Sequence, residues 1–126
     1  MARHNETGKW GEEMAANYLK SKGYTIRERD WRSGKRDIDI IAVTEDSITV
    51  VFVEVKTRTS DVLTRPEDAV DLKKIRNICY AANDYVKTHN VQEELRFDII
   101  SIVGENETVA RLEHIEDAFN PLMALR

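Results

Sequence analysis

Cysteine is almost missing from this chain, and its few histidines are scattered. Cys79 stands alone among 126 residues, so there is no intramolecular disulfide and no cysteine-rich zinc site. A reducing, cytoplasmic setting is expected. His4, His89 and His114 are the three histidines, too far apart for metal-ligand spacing. No apolar run approaches the ~18 residues that a spanning helix needs, so no membrane partner is expected. The stretch Met1-Ala2-Arg3-His4-Asn5-Glu6 lacks the apolar segment of a secretory signal. Internal repeats, low-complexity tracts, a phosphate-binding glycine loop and a nucleophile elbow are all lacking.

What is present suits one soluble domain, 1–126, large enough for a real core but not for two. The net charge is −4, which argues mildly against a nucleic-acid partner. Its distribution points the other way. Residues 1–36 hold nine Lys or Arg against five Asp or Glu, leaving a net +4 there and −8 in the remainder. A basic first third on an acidic chain can be an electrostatic footprint or a solvated surface of mixed sign.

Asn5 suits a helix N-cap and Gly23 a stop, predicting a helix to about Lys22. Trp10, Met14, Tyr18, Gly11, Ala15, Gly8 and Leu19 fall on one face of it. Gly8, Gly11 and Ala15 make a smooth stripe. An interior Gly costs ~1 kcal/mol against Ala, so two on the packing face predict close approach to a sheet or ligand. Glu12 lies at the edge of that face and Glu13 points away. Tyr24 to Trp31 is a strand candidate, and Arg32-Ser33-Gly34-Lys35 a basic turn.

Arg36 to Val43 alternates with period two, predicting Ile38 and Ile40 on one face and Asp37 and Asp39 on the other. Thr44-Glu45-Asp46-Ser47 is short and polar, as a hairpin connection should be. The run Ile48 to Arg58 follows, rich in β-branched residues and free of Gly and Pro. Glu54 and Lys56 interrupt its last third, and buried charges are expensive unless paired or bound to an ion. With the hairpin centred between Asp46 and Ser47, the numbers of opposed residues sum to 93. Asp39 then faces Glu54, and Asp37 faces Lys56. Opposed side chains share a face, ~4.5–5.5 Å apart at Cβ. Two carboxylates that close repel unless a cation lies between them. Hard oxygen donors suit Mg²⁺ or Mn²⁺. A one-residue slip would send the two acids to opposite faces.

Pro66 is suited to open a second helix, running to about Thr88 with Leu72, Ile75, Cys79, Ala82 and Val86 at core spacing. Cys79 reads as a small buried hydrophobe. Lys73, Lys74 and Arg76 near its start are either solvated or in contact with a phosphate. Arg96 to Val103 is a further strand, and Thr108 to Ile115 is expected to pair back on it. Asp98 is expected to be a structural partner of an Arg or a backbone N–H.

Asp39, fourteen intervening residues, then Glu54-Val55-Lys56 resembles the D…(D/E)xK active site of the PD-(D/E)xK nuclease superfamily. Similarity to the YraN-like family is closer and covers essentially the whole chain. It is carried by Gly8, Gly11-Glu12, Ala15, Tyr18-Leu19, Gly23-Tyr24, Trp31-Arg32, Asp37 to Ala42, Val51 to Arg58, Ala69-Val70 with Lys74, Arg96-Phe97-Asp98 and His114 to Phe119. Asp37 stands where that family usually has Glu, and Asp30 where Asn is common.

The resemblance implies an α/β fold with a restriction-endonuclease-like core, a mixed central sheet flanked by helices, in the order αβββαββ. It implies a metal-dependent endonuclease acting on DNA, branched or single-stranded DNA included. Glu12, Asp39, Glu54 and the Val55 carbonyl would hold Mg²⁺ or Mn²⁺, with Lys56 as the fourth catalytic side chain. Arg32, Lys35, Arg58 and Lys74 would contact flanking phosphates. The similarity extends to archaeal Holliday-junction resolvases, which makes a homodimer an assembly to consider. Two other readings stay open: a non-catalytic nucleic-acid-binding module acting with a partner, and a protein-interaction domain in which Glu54 and Lys56 are only a salt-bridged strand end.

Overall fold

A computed structural model describes residues 2–59 and 71–120, with side chains from Lys9 onward. Its elements are α1 (Ala2–Ser21), β1 (Thr25–Ser33), β2 (Arg36–Val43), β3 (Thr49–Arg58), α2 (Leu72–Thr88), β4 (Glu94–Val103) and β5 (Arg111–Ile115). This is the expected order αβββαββ. The strands form one sheet in the order β1-β2-β3-β4-β5. β3 and β4 pair in parallel, and the other neighbours are antiparallel. A parallel pair needs a crossover, and α2 lies within it.

The two helices cover opposite faces of the sheet. Ala15, Ala16 and Leu19 of α1 cluster with Ile40, Ala42, Val51, Val53, Ile100 and Ile102. Ile78, Cys79, Ala81, Ala82 and Tyr85 of α2 cluster with Ile38, Ile41, Val43, Val50, Phe52 and Phe97. Val50 to Val53 are fully buried, because successive side chains of β3 are covered by α1 and α2 in turn. Cys79 is a buried member of the α2 core.

The glycine stripe of α1 has a physical reason at Gly11. A Cβ there would collide with Thr57 Oγ1, so α1 lies directly on the last third of β3. Glu12 is the next residue, which brings it to the end of that strand. α1 ends as expected: Gly23 takes φ +93°, and Tyr24 N returns to Leu19 O at 3.0 Å.

Several boundaries differ from the sequence reading. α1 starts at Ala2, so Asn5 lies inside the helix and does not cap it. β1 runs through Arg32 and Ser33, and the turn is confined to Gly34-Lys35, with Gly34 at φ +63°. α2 begins at Leu72, because extended Asp71 caps it by accepting from Lys74 N at 2.9 Å. Pro66, expected to open that helix, lies outside the described residues. Leu72 is exposed and not part of the core. β5 starts at Arg111, three residues later than expected, since Asn106 Oδ1 holds Thr108 N in a local turn at 2.9 Å.

The strict alternation expected along β2 also fails. Ile38 packs with Ile41 on the α2 face, while Ile40 packs on the α1 face. The pleat is broken at the intervening residue, Asp39.

Candidate functional site

Two hairpins meet at Asp39. Between β2 and β3 the pairs are Val43↔Val50, Ala42↔Val51, Ile41↔Phe52 and Ile40↔Val53, which is the register counted from the turn at Asp46-Ser47. The ladder stops there. Val55 N donates to Asp39 Oδ2 at 2.8 Å, so a carboxylate occupies the fork where the strands part. Asp37 and Lys56 are therefore not a ladder pair. A cation that does lie near Asp37 is Lys74, with Nζ 4.0 Å from Asp37 Oδ1.

Between β1 and β2 the pairs run Ser33↔Arg36, Arg32↔Asp37 and Trp31↔Ile38, then resume at Arg29↔Ile40. The skipped position is Asp30 against Asp39, and Asp30 has φ +50°. Three neighbouring strands thus bring Asp30, Asp39 and Glu54 abreast. Glu12 reaches them from α1: one carboxylate oxygen from each of Glu12, Asp30 and Asp39 lies within 4.8 Å of the others.

This crowding shows in the protonation. Asp39 and Glu54 are each only 7% exposed. Burial, then the neighbouring Asp39, pushes Glu54 up to about 9. Glu12 is pushed up to about 8, by burial first and then by Asp39 and Asp30. Asp39 is also raised by burial, although the Val55 N–H and a hydrogen bond with Glu54 pull it down. Burial works to lower Lys74, but Glu54, Asp37 and Asp39 outweigh it and hold the ammonium above its ordinary value. Glu54 Oε1 is buried with no hydrogen-bond partner among the described residues. Convergent oxygens from half-buried Glu12, exposed Asp30 and buried Asp39 are donors of the kind a hard divalent cation takes, and the orphaned Glu54 oxygen belongs to the residue hydrogen-bonded to Asp39. Glu12, Asp30 and Asp39 are the residues able to hold one, with Glu54 adjoining them at Asp39.

Lys56 is exposed beside this cluster. It lines a pocket of about 300 Å³ with Glu54, Asp71, Lys73, Lys74 and Asn77. Val55 is half-buried, and the atom seen to act is its N–H, on Asp39. Arg32 and Lys35 are exposed on the β1–β2 hairpin, and Arg58 is half-buried at the end of β3. Lys74, expected on phosphates, stands 3.7 Å from Glu54 Oε2. The fold brings Glu12, Asp39, Glu54 and Lys74 together, with Lys56 at the pocket.

Sequence reasoning missed Asp30. The signal was available: counting from the turn at Gly34-Lys35, as from Asp46-Ser47, opposes Asp30 to Asp39. It also missed His114, which is buried in a second polar network. There fully buried Asp98 accepts from Arg96 Nε and Nη2 at 2.9 and 2.8 Å and from Asp117 N at 3.0 Å. His114 Nε2 completes the set at 2.7 Å. Asp98 is thus the structural partner expected of it. Burial would raise its carboxyl, but these contacts hold it below its ordinary value.

No helix among the described residues is long and apolar enough to cross a membrane. Residues 11–102 match the model of "Uncharacterised protein family UPF0102". A UPF0102 protein of Bacteroides thetaiotaomicron is 47% identical over 121 residues, covering 96% of this chain and 98% of that one. One of Phocaeicola vulgatus is 50% identical with the same coverage. One of Flavobacterium psychrophilum is 44% identical over 119 residues, covering 94% of this chain and 98% of its own. The matched span includes all four clustered acids, Lys56 and Lys74, and on it the chain belongs to the UPF0102 family, the YraN-like proteins.

Proposed function

We propose that this chain is a metal-dependent endonuclease that hydrolyses DNA phosphodiester bonds. The observation that carries the reading is the row Asp30, Asp39 and Glu54 across three strands, with Glu12 above it and Lys56 at the adjoining pocket. Asp39 and Glu54 are buried, and buried like charges cost stability in a metal-free protein. A domain whose role were only to bind a partner would gain nothing by gathering them.

Glu12, Asp30 and Asp39 would hold Mg²⁺ or Mn²⁺, with Glu54 supplying its unpartnered oxygen. Such an ion polarises the phosphodiester and lowers the pKa of an attacking water. The protein's own residues do the rest. Val55 N–H fixes the Asp39 carboxylate at the fork. Lys56, exposed on the same strand, orients the water or stabilises charge developing on phosphorus. Arg32, Lys35 and Arg58 anchor flanking phosphates, contacts that position a strand without reading its sequence.

The test compares wild type with Glu54→Ala on linear, single-stranded and four-way DNA in Mg²⁺ or Mn²⁺. The expected result is cleavage by the wild type alone, with both proteins folded. No cleavage above the variant on any substrate overturns the reading in favour of a non-catalytic nucleic-acid-binding module.

A further inference from the structure

Lys74 is the third residue of α2. Its ammonium lies 3.7 Å from Glu54 Oε2 and 4.0 Å from Asp37 Oδ1. Those carboxylates belong to β3 and β2, so Lys74 bridges the strands that Asp39 separates. It approaches from the α2 face, whereas Glu12 approaches from the α1 face. The acids therefore fall into two groups that share Asp39. Glu12, Asp30 and Asp39 converge within 4.8 Å, while Glu54, through Oε2, and Asp37 face a cation of the protein itself.

Nucleases with two metal ions place them ~3.5–4 Å apart, so that positive charge flanks both the attacking and the leaving oxygen. Here the first group has the donors for one ion, and an ammonium stands against the second group. Resting on the nuclease reading above, we propose that Lys74 substitutes for a second metal ion, so that the chain binds one divalent cation, held by Glu12, Asp30 and Asp39 with the unpartnered Oε1 of Glu54, while Lys74 faces Glu54 Oε2. An ammonium offers three hydrogen-bond donors and one positive charge but no coordination position for water. Lys74 therefore acts as a positioning residue. It holds Glu54 in place and presents positive charge, with Lys56 and Lys73, to a phosphate entering the pocket that the three lysines line. Generation of the attacking hydroxide is left to the other side of Asp39.

The test is a titration of metal-free protein with Mn²⁺, followed by calorimetry and by electron paramagnetic resonance. Wild type and Lys74→Arg are expected to bind one Mn²⁺ per chain with the spectrum of an isolated ion. Lys74→Gln is expected to bind two, with the exchange-coupled spectrum of a neighbouring pair. Lys74→Met, which keeps the aliphatic stem, repeats the measurement if the Gln variant does not fold. Two ions in the wild type, or one ion in both neutral variants, overturns the proposal while leaving the nuclease reading intact. No Mn²⁺ bound by the wild type removes the metal-dependent reading itself, and this inference with it.

Discussion

Val55 N donates to Asp39 Oδ2 at 2.8 Å, a side chain doing the work that a strand carbonyl would do one step further along the ladder. The contact joins fold and site. It ends the β2–β3 pairing at Ile40↔Val53 and sets Asp39 in the fork, where Glu54 and Asp30 flank it.

Removing that acceptor separates its structural part from its chemical part. Asp39→Ala leaves the Val55 N–H without its partner and is expected to cost about 1–3 kcal/mol of unfolding free energy. Asp39→Asn keeps an oxygen for the N–H while deleting a charge from a crowded site. Its urea midpoint is expected at or above that of the wild type. Both variants are expected to lose divalent-ion binding. Equal destabilisation by the two would show that the hydrogen bond does not hold the fork.

The carboxyl groups give the metal-free protein an unusual pH dependence. Glu54 and Glu12 rise to about 9 and about 8 from an ordinary 4.5. A group raised on folding binds its proton more tightly in the native state, so its stabilising contribution is complete below the unfolded pKa. That contribution is lost as pH rises through the folded values. Urea midpoints without metal are therefore expected to fall from pH 5 to pH 9, and Glu54→Gln to flatten the slope. A midpoint that climbs across this range would contradict the protonation described.

Those same protons must leave when a cation binds. At pH 7 Glu12 and Glu54 both lie below their folded values, so Mn²⁺ binding is expected to release protons. Calorimetry in buffers of different ionisation enthalpy reads the number released. Apparent affinity should rise with pH up to about 9. Binding without proton release would place the ion away from these residues.

Close contact of α1 with β3 is tested by a double-mutant cycle. Gly11→Ala drives a methyl group into Thr57 Oγ1 and is expected to cost about 1–3 kcal/mol. Thr57→Ala removes the obstructing oxygen and methyl, so the double variant should recover part of the loss. Strictly additive effects would mean that the helix shifts freely over the strand.

The hairpin centred on Asp46-Ser47 was legible because its turn is short and its arms are apolar on both faces. Any slip in register would turn Phe52 and Val53 to the wrong helices. That count alone was enough to oppose Asp39 to Glu54. The sequence said less where the backbone departs from regularity. Asp30 adopts φ +50° and the pleat of β2 breaks beside it, so an alternation rule put Ile38 on one face with Ile40, whereas the two pack on opposite faces. Asp71 caps α2 through its own side chain, and nothing in the apolar spacing distinguishes that start from Pro66. His114 was unreadable for another reason. Its partners Tyr18 and Asp98 are 96 and 16 residues away, and only the β4–β5 pairing and the docking of α1 bring them together.

The seam between Gly11 and Thr57 bears finally on ion choice. With no side chain between helix and strand, the backbone at Glu12 is held close over the sheet, which limits how far its carboxylate can withdraw from the sheet's acids. A rigid cage favours ions that accept short, regular coordination. Mg²⁺ sits at about 2.0–2.1 Å from oxygen, whereas Ca²⁺ needs about 2.3–2.6 Å and more ligands. In the proposed site, discrimination against calcium would come from the thinness of this contact, because the cage cannot widen unless the helix lifts from the sheet.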